Sequence, residues 1–351
     1  MKSMTYVGLD VHKKTIAYCV KTQSGQLVKE GEIVARRAEL GAWASSLRRP
    51  WTGALEATLF TGWIYDFLKP HAAALKVAHP AMLKAIAASK KKNDRIDAKK
   101  IADLLRCDLL PECYMAPTEV RELRRVLRYR NLIVREATRM KNKISGLLME
   151  VGETYDKKKL HGRKYFAQLT AGLEETPDSV QHLLRLSRSN LDLFDGLQKG
   201  LLQELGQDEQ LAARVERLKQ IRGVGDVLAL TWALEVGEVT RFTSIRQAVS
   251  YCGLCAAQDS SAGQEHRGPI SKQRNKHLQC MLIEAAKLAP RYNPQLHAVH
   301  ERELARGNKN RATLAVARKL VAYLLAADKS DRPFEPKATG VKPGVAGMPR
   351  P

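Results

Sequence analysis

Long apolar runs are missing from this chain. None approaches the roughly 18–20 residues that a membrane-spanning helix needs, and the opening stretch "MKSMTYVGLDVHKK" has no apolar core of the kind a secretory signal carries. Acidic residues are scarce as well: 37 Asp and Glu stand against 59 Lys and Arg, a formal charge of +22 over 351 residues. An excess of this size calls for a polyanionic partner, because Lys and Arg contacts to phosphate dominate nucleic-acid affinity. With no spanning segment, nucleic acid is favoured over a membrane surface, and a cytoplasmic, nucleoid-associated protein over a secreted one. Cysteines are few and scattered (Cys19, Cys107, Cys113, Cys252, Cys255, Cys280), which excludes a disulfide framework. Cys252 and Cys255 form a C-x-x-C in "YCGLCA", but a zinc site needs two more ligands at matching spacing. His266 and His277 fit no common pattern, so these read as two buried thiols in a turn. Hydrophobic residues, at 44%, are plentiful enough to exclude general disorder.

What is present divides the chain into segments. "TYVGL", "IAYCV" and "LVKEGEIVA", with the turn signal "TQSGQ" before the last, predict a meander of strands. "TGALEAT" predicts a further strand, "GWIYDFLKPHAAAL" a helix and "KVAHP" a short strand. The stretch from Ala81 to Leu110 reads as helical at both ends. Strands followed by alternating strands and helices imply an α/β domain with a mixed sheet over residues 1–115. Residues 116–220 predict a helical, coiled-coil-like middle. Its first helix starts at "APTE" and carries an apolar stripe of Leu123, Leu127, Ile133, Met140, Ile144 and Leu148. The rest of that helix is dense in Arg and Lys, with Arg124, Arg125, Arg128, Arg135 and Lys141 as candidate nucleic-acid contacts. A second helical region over about 176–220 has its own leucine periodicity, so the two could pair within the chain or between subunits. Residues 221–327 read as a compact helical domain, and the Pro- and Gly-rich 328–351 as a disordered tail.

Four acids stand out within this basic background. Asp10 ends the first strand and Glu56 a later one. Asp94 and Asp97, in "KKKNDRIDAKK", share one face of a helix by their i, i+3 spacing. Carboxylates converging from three elements suit Mg²⁺ or Mn²⁺, hard cations that keep waters and a substrate phosphate; two ions would clamp both oxygens of an in-line phosphoryl displacement. The surrounding lysines would then help to attract phosphate. The plainer alternatives are a capping aspartate for Asp10 and ion pairs to Lys90 or Lys100 for Asp94 and Asp97. Further on, "RGVGD" sets Gly223 and Gly225 between two helical patterns. That turn either offers backbone N–H groups to a phosphate or merely packs two helices. The polar stretch "QDSSAGQEHRGPISKQRNKHLQ" predicts a loop holding Ser260 and Ser261, with Arg267, Lys272 and Arg274 able to neutralise a phosphate under nucleophilic attack.

The segments "GLDVHKKTI", "LEAT", "GWIY", "HP", "KNDRIDAKKIA", "GVGDVLA", "YCGL", "SSAG" and "ISKQRNKHL" occur in an order that resembles the IS110 family of insertion-sequence transposases over roughly residues 5–325. The resemblance implies a RuvC-like, RNase H-type N-terminal domain whose Asp-Glu-Asp-Asp quartet, here Asp10, Glu56, Asp94 and Asp97, binds Mg²⁺. Asp103 is a weaker substitute. Asn93 stands where the family often has Thr. It also implies a serine-bearing C-terminal domain with a helix-hairpin-helix-like turn at Gly223 and Gly225, and a covalent serine nucleophile. Counting back from "ISK" places that role on Ser261 rather than Ser260, although Ala262 stands where the family usually has Gly. Arg274 and Gln279 depart from the common Gly and Arg. The family further implies donor and target DNA, an element-encoded structured noncoding RNA as guide, and a homo-oligomer, dimer or tetramer.

The expected function is therefore DNA strand cutting and rejoining by Ser261 with a Mg²⁺ site, the two meeting within one chain or between subunits. A metal-dependent nuclease or junction resolvase that uses water is the first rival. A non-catalytic nucleic-acid-binding protein is the second.

Overall fold

Period-two burial sets the architecture of the N-terminal part. In this computed structural model, which describes residues 3–86, 93–173, 176–261, 264–330 and 334, five strands form one sheet: β1 (Thr5–Val11), β2 (Thr15–Thr22), β3 (Leu27–Val34), β4 (Trp51–Glu56) and β5 (Ala74–Ala78). Their order is β3-β2-β1-β4-β5. β1 pairs antiparallel with β2 and parallel with β4, and β4 pairs parallel with β5. The sheet is mixed, as the element pattern and the resemblance implied.

Alternate residues face opposite layers. Val7, Leu9 and Val11 of β1 join Ile16, Tyr18 and Val20 of β2 in a core covered by α1 (Arg37–Ser46) and α2 (Thr61–Leu68). The residues between them look the other way. Ala17 and Cys19 pack with Ala98 and Ala102 of α4 (Asp94–Arg106), and Ala54 with Ile101 and Leu105 of α4 and Leu83 of α3 (Pro80–Ile86). The α1 segment was not foreseen; it buries only Leu40, Trp43 and Ala44 and has no side-chain cap, so its local signal is weak.

α4 crosses the sheet closely at Gly8, where the neighbouring residues Ala17 and Cys19 are also small. A Cβ at Gly8 would overlap the Ala98 carbonyl oxygen and the Ala102 backbone nitrogen. Gly8→Ala is therefore expected to push α4 outward and cost about 1–3 kcal/mol or more, the range for overpacking; a lowered urea midpoint would report it. Lys21, buried on β2, reaches Asp103 of α4 at 2.5 Å, and Arg95 reaches Glu30 of β3 at 2.7 Å. These pairs pin α4 along its length.

The chain divides into two compact units, residues 1–118 and 119–351. The second is helical apart from one hairpin: α5 (Thr118–Glu150), α6 (Arg163–Ala171), α7 (Asp178–Leu205), α8 (Glu209–Lys219), α9 (Asp226–Val236), α10 (Ile245–Tyr251), β6 (Ala256–Ser261), β7 (Gln264–Ile270), α11 (Lys276–Leu288), α12 (Pro294–Ala305) and α13 (Lys309–Lys329). α9 is buried on every side from Leu228 to Val236, which makes it the central rod of the domain. The stripe expected on α5 is observed: Leu127, Ile133, Ile144 and Leu148 are buried. Leu127 belongs to the core around α9, whereas Ile144 and Leu148 share a second cluster with Phe166 of α6 and Leu184 of α7. The expected tail starts too early: α13 runs to Lys329, and the buried Asp328 pairs with Arg214 at 2.6 Å. Most of the rest lies outside the described residues, and Phe334 meets Tyr323 in a tilted contact at 5.0 Å between ring centroids.

Candidate active site

Parity on the sheet puts Asp10 and Glu56 on one face. Leu9 of β1 stands opposite Leu55 of the parallel β4, and each acid is the next residue along. Both therefore leave the carboxyl ends of adjacent parallel strands, on the side that α4 covers. α4 begins at that point. Asn93 caps it by accepting a hydrogen bond from Arg95 N, and Asp94 and Asp97 fill its first turn, where the helix dipole favours negative charge. Close packing at Gly8 then brings the start of α4 down beside Asp10.

Asp10 is buried, 8% exposed, and its oxygen shares a neighbour with Asp94. His12 Nε2 lies 3.3 Å from Asp10 Oδ2 and 3.4 Å from Asp94 Oδ2. Burial pushes the Asp10 carboxyl above its ordinary range; the charge and hydrogen bond of His12 oppose this, and the charges of Asp94 and Asp97 add to it. Two carboxylates, with the charge of Asp97 nearby, thus meet where one of them is poorly solvated. A divalent cation would relieve that repulsion, and the donor set of carboxylate oxygens with one imidazole fits such an ion. Among the described residues, Asp10, His12 and Asp94 form a group whose ligand atoms lie within 4.8 Å of one another.

Glu56 and Asp97 stand beside this tight group rather than in it. Asp97 accepts a hydrogen bond from Lys100 at 3.2 Å, the ion-pair alternative for that residue. Lys90 lies outside the described residues. Asp103 is held by Lys21 and does not join the group. His12 was missed as a site residue. Its signal was in the sequence, two positions after Asp10, the spacing that returns a side chain to the same face of a strand.

The serine stretch is a hairpin, not the loop expected. β6 and β7 pair antiparallel, Ser261 opposite Gln264 and Arg267 opposite Gln258, so Ser261 closes β6 next to the tip. Ala262 and Gly263 lie outside the described residues. Ala256, Ala257, Gln258 and Gly268 are all exposed. The ribbon's sequence has no apolar alternation, which is why it reads as loop. Lys272 follows in the exposed turn before α11.

The G-x-G turn joins α8 to α9 as expected. Gly223 has φ of 97°, a left-handed conformation that a side chain would strain, and its missing Cβ leaves room for Ala289. Gly225 caps α9 with open space around it, but Asp226 sits in the same first turn and pairs with Lys219 at 2.7 Å. Cys252 is buried and its thiol is pushed up to about 12, so it stays protonated.

Two of the arginines expected to contact nucleic acid also bond to α9, Arg128 while its side chain stays 46% exposed. Arg128 forms a two-pronged pair with the fully buried Glu235 of α9, both bonds at 2.7 Å. Arg124 donates to the Leu234 carbonyl at 2.8 Å. Asn275 completes the network, donating to Glu235 at 2.9 Å while its oxygen caps α11. Arg125 and Arg135 remain exposed on α5, with Lys141 partly so. Burial would raise the Glu235 carboxyl, but the hydrogen bonds and charge of Arg128, with Asn275 and Arg124, hold it below the ordinary range. Its contribution to stability is therefore present at neutral pH and fades as pH falls below about 4.5. Arg128→Ala would strand a buried charge and is expected to cost about 3 kcal/mol, the low end for breaking a buried pair because Arg128 is half-exposed. Denaturant titrations at pH 7 and pH 4 would report both the loss and a smaller gap at the lower pH.

Comparison with known proteins agrees with these features. A family model for the DEDD-type IS110 transposase matches residues 7–152, and one described as "Transposase IS116/IS110/IS902 family" matches residues 215–301. The chain is 26% identical over 337 residues to the transposase for insertion sequence element IS1111A of Coxiella burnetii, covering 91% of this chain and 88% of that one. It is 23% identical over 292 residues to the transposase for IS1328 of Yersinia enterocolitica, covering 82% and 84%. It is 26% identical over 273 residues to the transposase for IS1533 of Leptospira borgpetersenii, covering 73% and 76%.

Proposed function

We propose, for a chain that belongs to the IS110 family of transposases and is thus a DNA transposase, that Ser261 cuts and rejoins DNA through a protein-linked strand while the acidic group at Asp10 and Asp94 supports the phosphate. The observation that carries the reading is the convergence of Asp10 and Asp94, from β1 and α4, on one solvent-reachable point. A divalent cation there, Mg²⁺ by its liking for carboxylate oxygen, would supply neutralisation of the charge that builds on the phosphoryl oxygens. Glu56 and Asp97 complete the quartet from the neighbouring strand end and the next position on the same helix turn.

The Ser261 hydroxyl oxygen forms a bond to phosphorus and loses its proton to base. The P–O bond to the departing strand breaks, and that strand leaves as a free hydroxyl. A hydroxyl from the joining strand then attacks the same phosphorus and releases the serine. No net phosphodiester energy is lost, so neither ATP nor hydrolysis is needed. Arg267, on β7, and Lys272, just after it, are placed in sequence to neutralise the phosphate. The chemistry requires Ser261 and the acidic group to reach one phosphate in the assembled complex.

Arg125, Arg135 and Lys141, exposed or partly exposed on α5, are candidate contacts for a polyanion, supported by the +22 charge. A structured guide RNA from the element would be such a polyanion and would leave base pairing to choose donor and target DNA. Gly223 and Gly225 are candidates for DNA backbone contact. A homo-oligomer would supply one active serine per cut strand. No described helix is long and apolar enough to cross a membrane, and action on DNA places the protein with the nucleoid in the cytoplasm.

The test is expression together with the element's native flanking DNA, followed by a denaturing gel. A protein–DNA adduct that forms with Mg²⁺ and is absent with chelator is expected. Cleaved DNA without any adduct would replace the serine mechanism with a water-driven nuclease. Salt-sensitive binding without cleavage would leave a nucleic-acid-binding protein.

A further inference from the structure

We propose that His12 is a ligand of the cation held by Asp10 and Asp94, and that this imidazole makes the site prefer Mn²⁺ to Mg²⁺. The inference rests on the metal-site reading above and goes beyond the carboxylate quartet, which has no place for a nitrogen donor.

The geometry carries it. His12 follows β1 directly, and its backbone N–H donates to Thr15 O at 2.9 Å, which fixes the turn into β2. That turn holds the ring over the carboxyl end of β1. Its Nε2 is 3.3 Å from Asp10 Oδ2 and 3.4 Å from Asp94 Oδ2. The Asp10 contact is within hydrogen-bonding reach, yet both separations exceed the roughly 2.7–2.9 Å usual for a charge-assisted hydrogen bond. Two ligand atoms each about 2.1 Å from one cation, in contrast, stand ~3.0 Å apart at a right angle and ~3.4 Å apart at a tetrahedral one. Both observed separations fall inside that interval. One ring nitrogen thus sits at ligand spacing from two carboxylates that come from different elements.

The chemistry follows from donor type. Carboxylates and waters suit Mg²⁺ and Mn²⁺ alike, whereas an imidazole nitrogen adds little for hard Mg²⁺ and more for transition cations. Mn²⁺ accepts both donor types and tolerates the mixed set. Asp97, whose charge also acts on Asp10, keeps the site anionic overall. His12 is half-exposed, so replacing it leaves the sheet core intact.

The experiment uses the full chain and Mn²⁺ alone as probe. Loss of the free-ion electron paramagnetic resonance signal gives the affinity, competition gives that of Mg²⁺, and pulsed measurements on protein labelled with ¹⁵N-histidine detect coordinated imidazole. The expected result is Mn²⁺ binding at least about tenfold tighter than Mg²⁺, with a histidine nitrogen coupling. In His12→Asn the coupling disappears, Mn²⁺ affinity falls about tenfold, and Mg²⁺ affinity changes less than threefold. Bound Mn²⁺ without a histidine coupling, or an unchanged Mn²⁺ to Mg²⁺ ratio in His12→Asn, would overturn the assignment while leaving the carboxylate site standing. Failure of the wild type to bind Mn²⁺, or equal binding by Asp10→Asn, would remove the metal site itself and His12 with it.

Discussion

Ser261→Ala is expected to abolish the protein–DNA adduct and to lower strand exchange by at least about 10³-fold, since removing the nucleophile of a covalent mechanism leaves only binding and electrostatic assistance. DNA affinity and its salt dependence should stay as in the wild type, because those come from phosphate contacts by basic side chains. Stability should also hold: the substitution lies at the end of β6, next to the tip of a ribbon whose described faces are exposed. Ser260 provides the control. Spacing counted back from "ISK" assigns the role to Ser261 rather than Ser260. Ser260→Ala should keep the adduct. If the two variants exchange behaviours, the nucleophile is Ser260; if neither matters, serine catalysis is wrong and water is the attacking group. Denaturing gels of adduct and cleaved strand, run beside binding curves at two salt concentrations, separate these outcomes.

Asp10→Asn is expected to have an effect of similar size on chemistry and the opposite effect on stability. Removing one carboxylate from a two-element cation site should lower strand exchange by about 10³-fold or more, because the charge stabilisation acts only as the phosphate reacts. The same carboxyl is held above its ordinary range by burial, against the help of His12 and with the added repulsion of Asp94 and Asp97. A group raised in the folded state stabilises below its unfolded value near pH 3.8 and loses that contribution as pH rises through its folded value. At neutral pH the ionised Asp10 therefore works against folding, and Asn at this position should leave the metal-free protein as stable as the wild type or more so. Added Mn²⁺ should raise the melting temperature of the wild type and not of Asp10→Asn. Thermal melts with and without Mn²⁺ at pH 7 would check this. A clear loss of metal-free stability in Asp10→Asn would make Asp10 a structural carboxylate rather than a cation ligand.

Much of this was legible in the chain. The strands through residue 34, the strand ending at Glu56 and the basic helix from Thr118 all carry strong local periodicity, and each is found where that periodicity placed it. The i, i+3 spacing of Asp94 and Asp97 was enough to put both on the first turn of α4. Other features left little local trace. α1 buries three residues and has no side-chain cap. The β6–β7 hairpin has no apolar alternation to announce its strands. The spacing of His12 from Asp10 was legible, but its closeness to Asp94 of α4 was not.

Composition and periodicity determined that this protein is an α/β sheet domain followed by helices and that it is strongly basic, because both depend only on residues near one another in the chain or on their sum; its link to DNA transposition came from likeness to the IS110 family. Tertiary structure alone decided which charges remain available. Arg128 is bound by Glu235, 107 positions away, and Lys21 by Asp103, 82 positions away. Gly8, which has no side chain to signal a role, sets how close α4 comes to the sheet. A charged side chain is free or committed according to what folds against it. That partner is chosen by the packing of distant elements, which no local pattern in the sequence records.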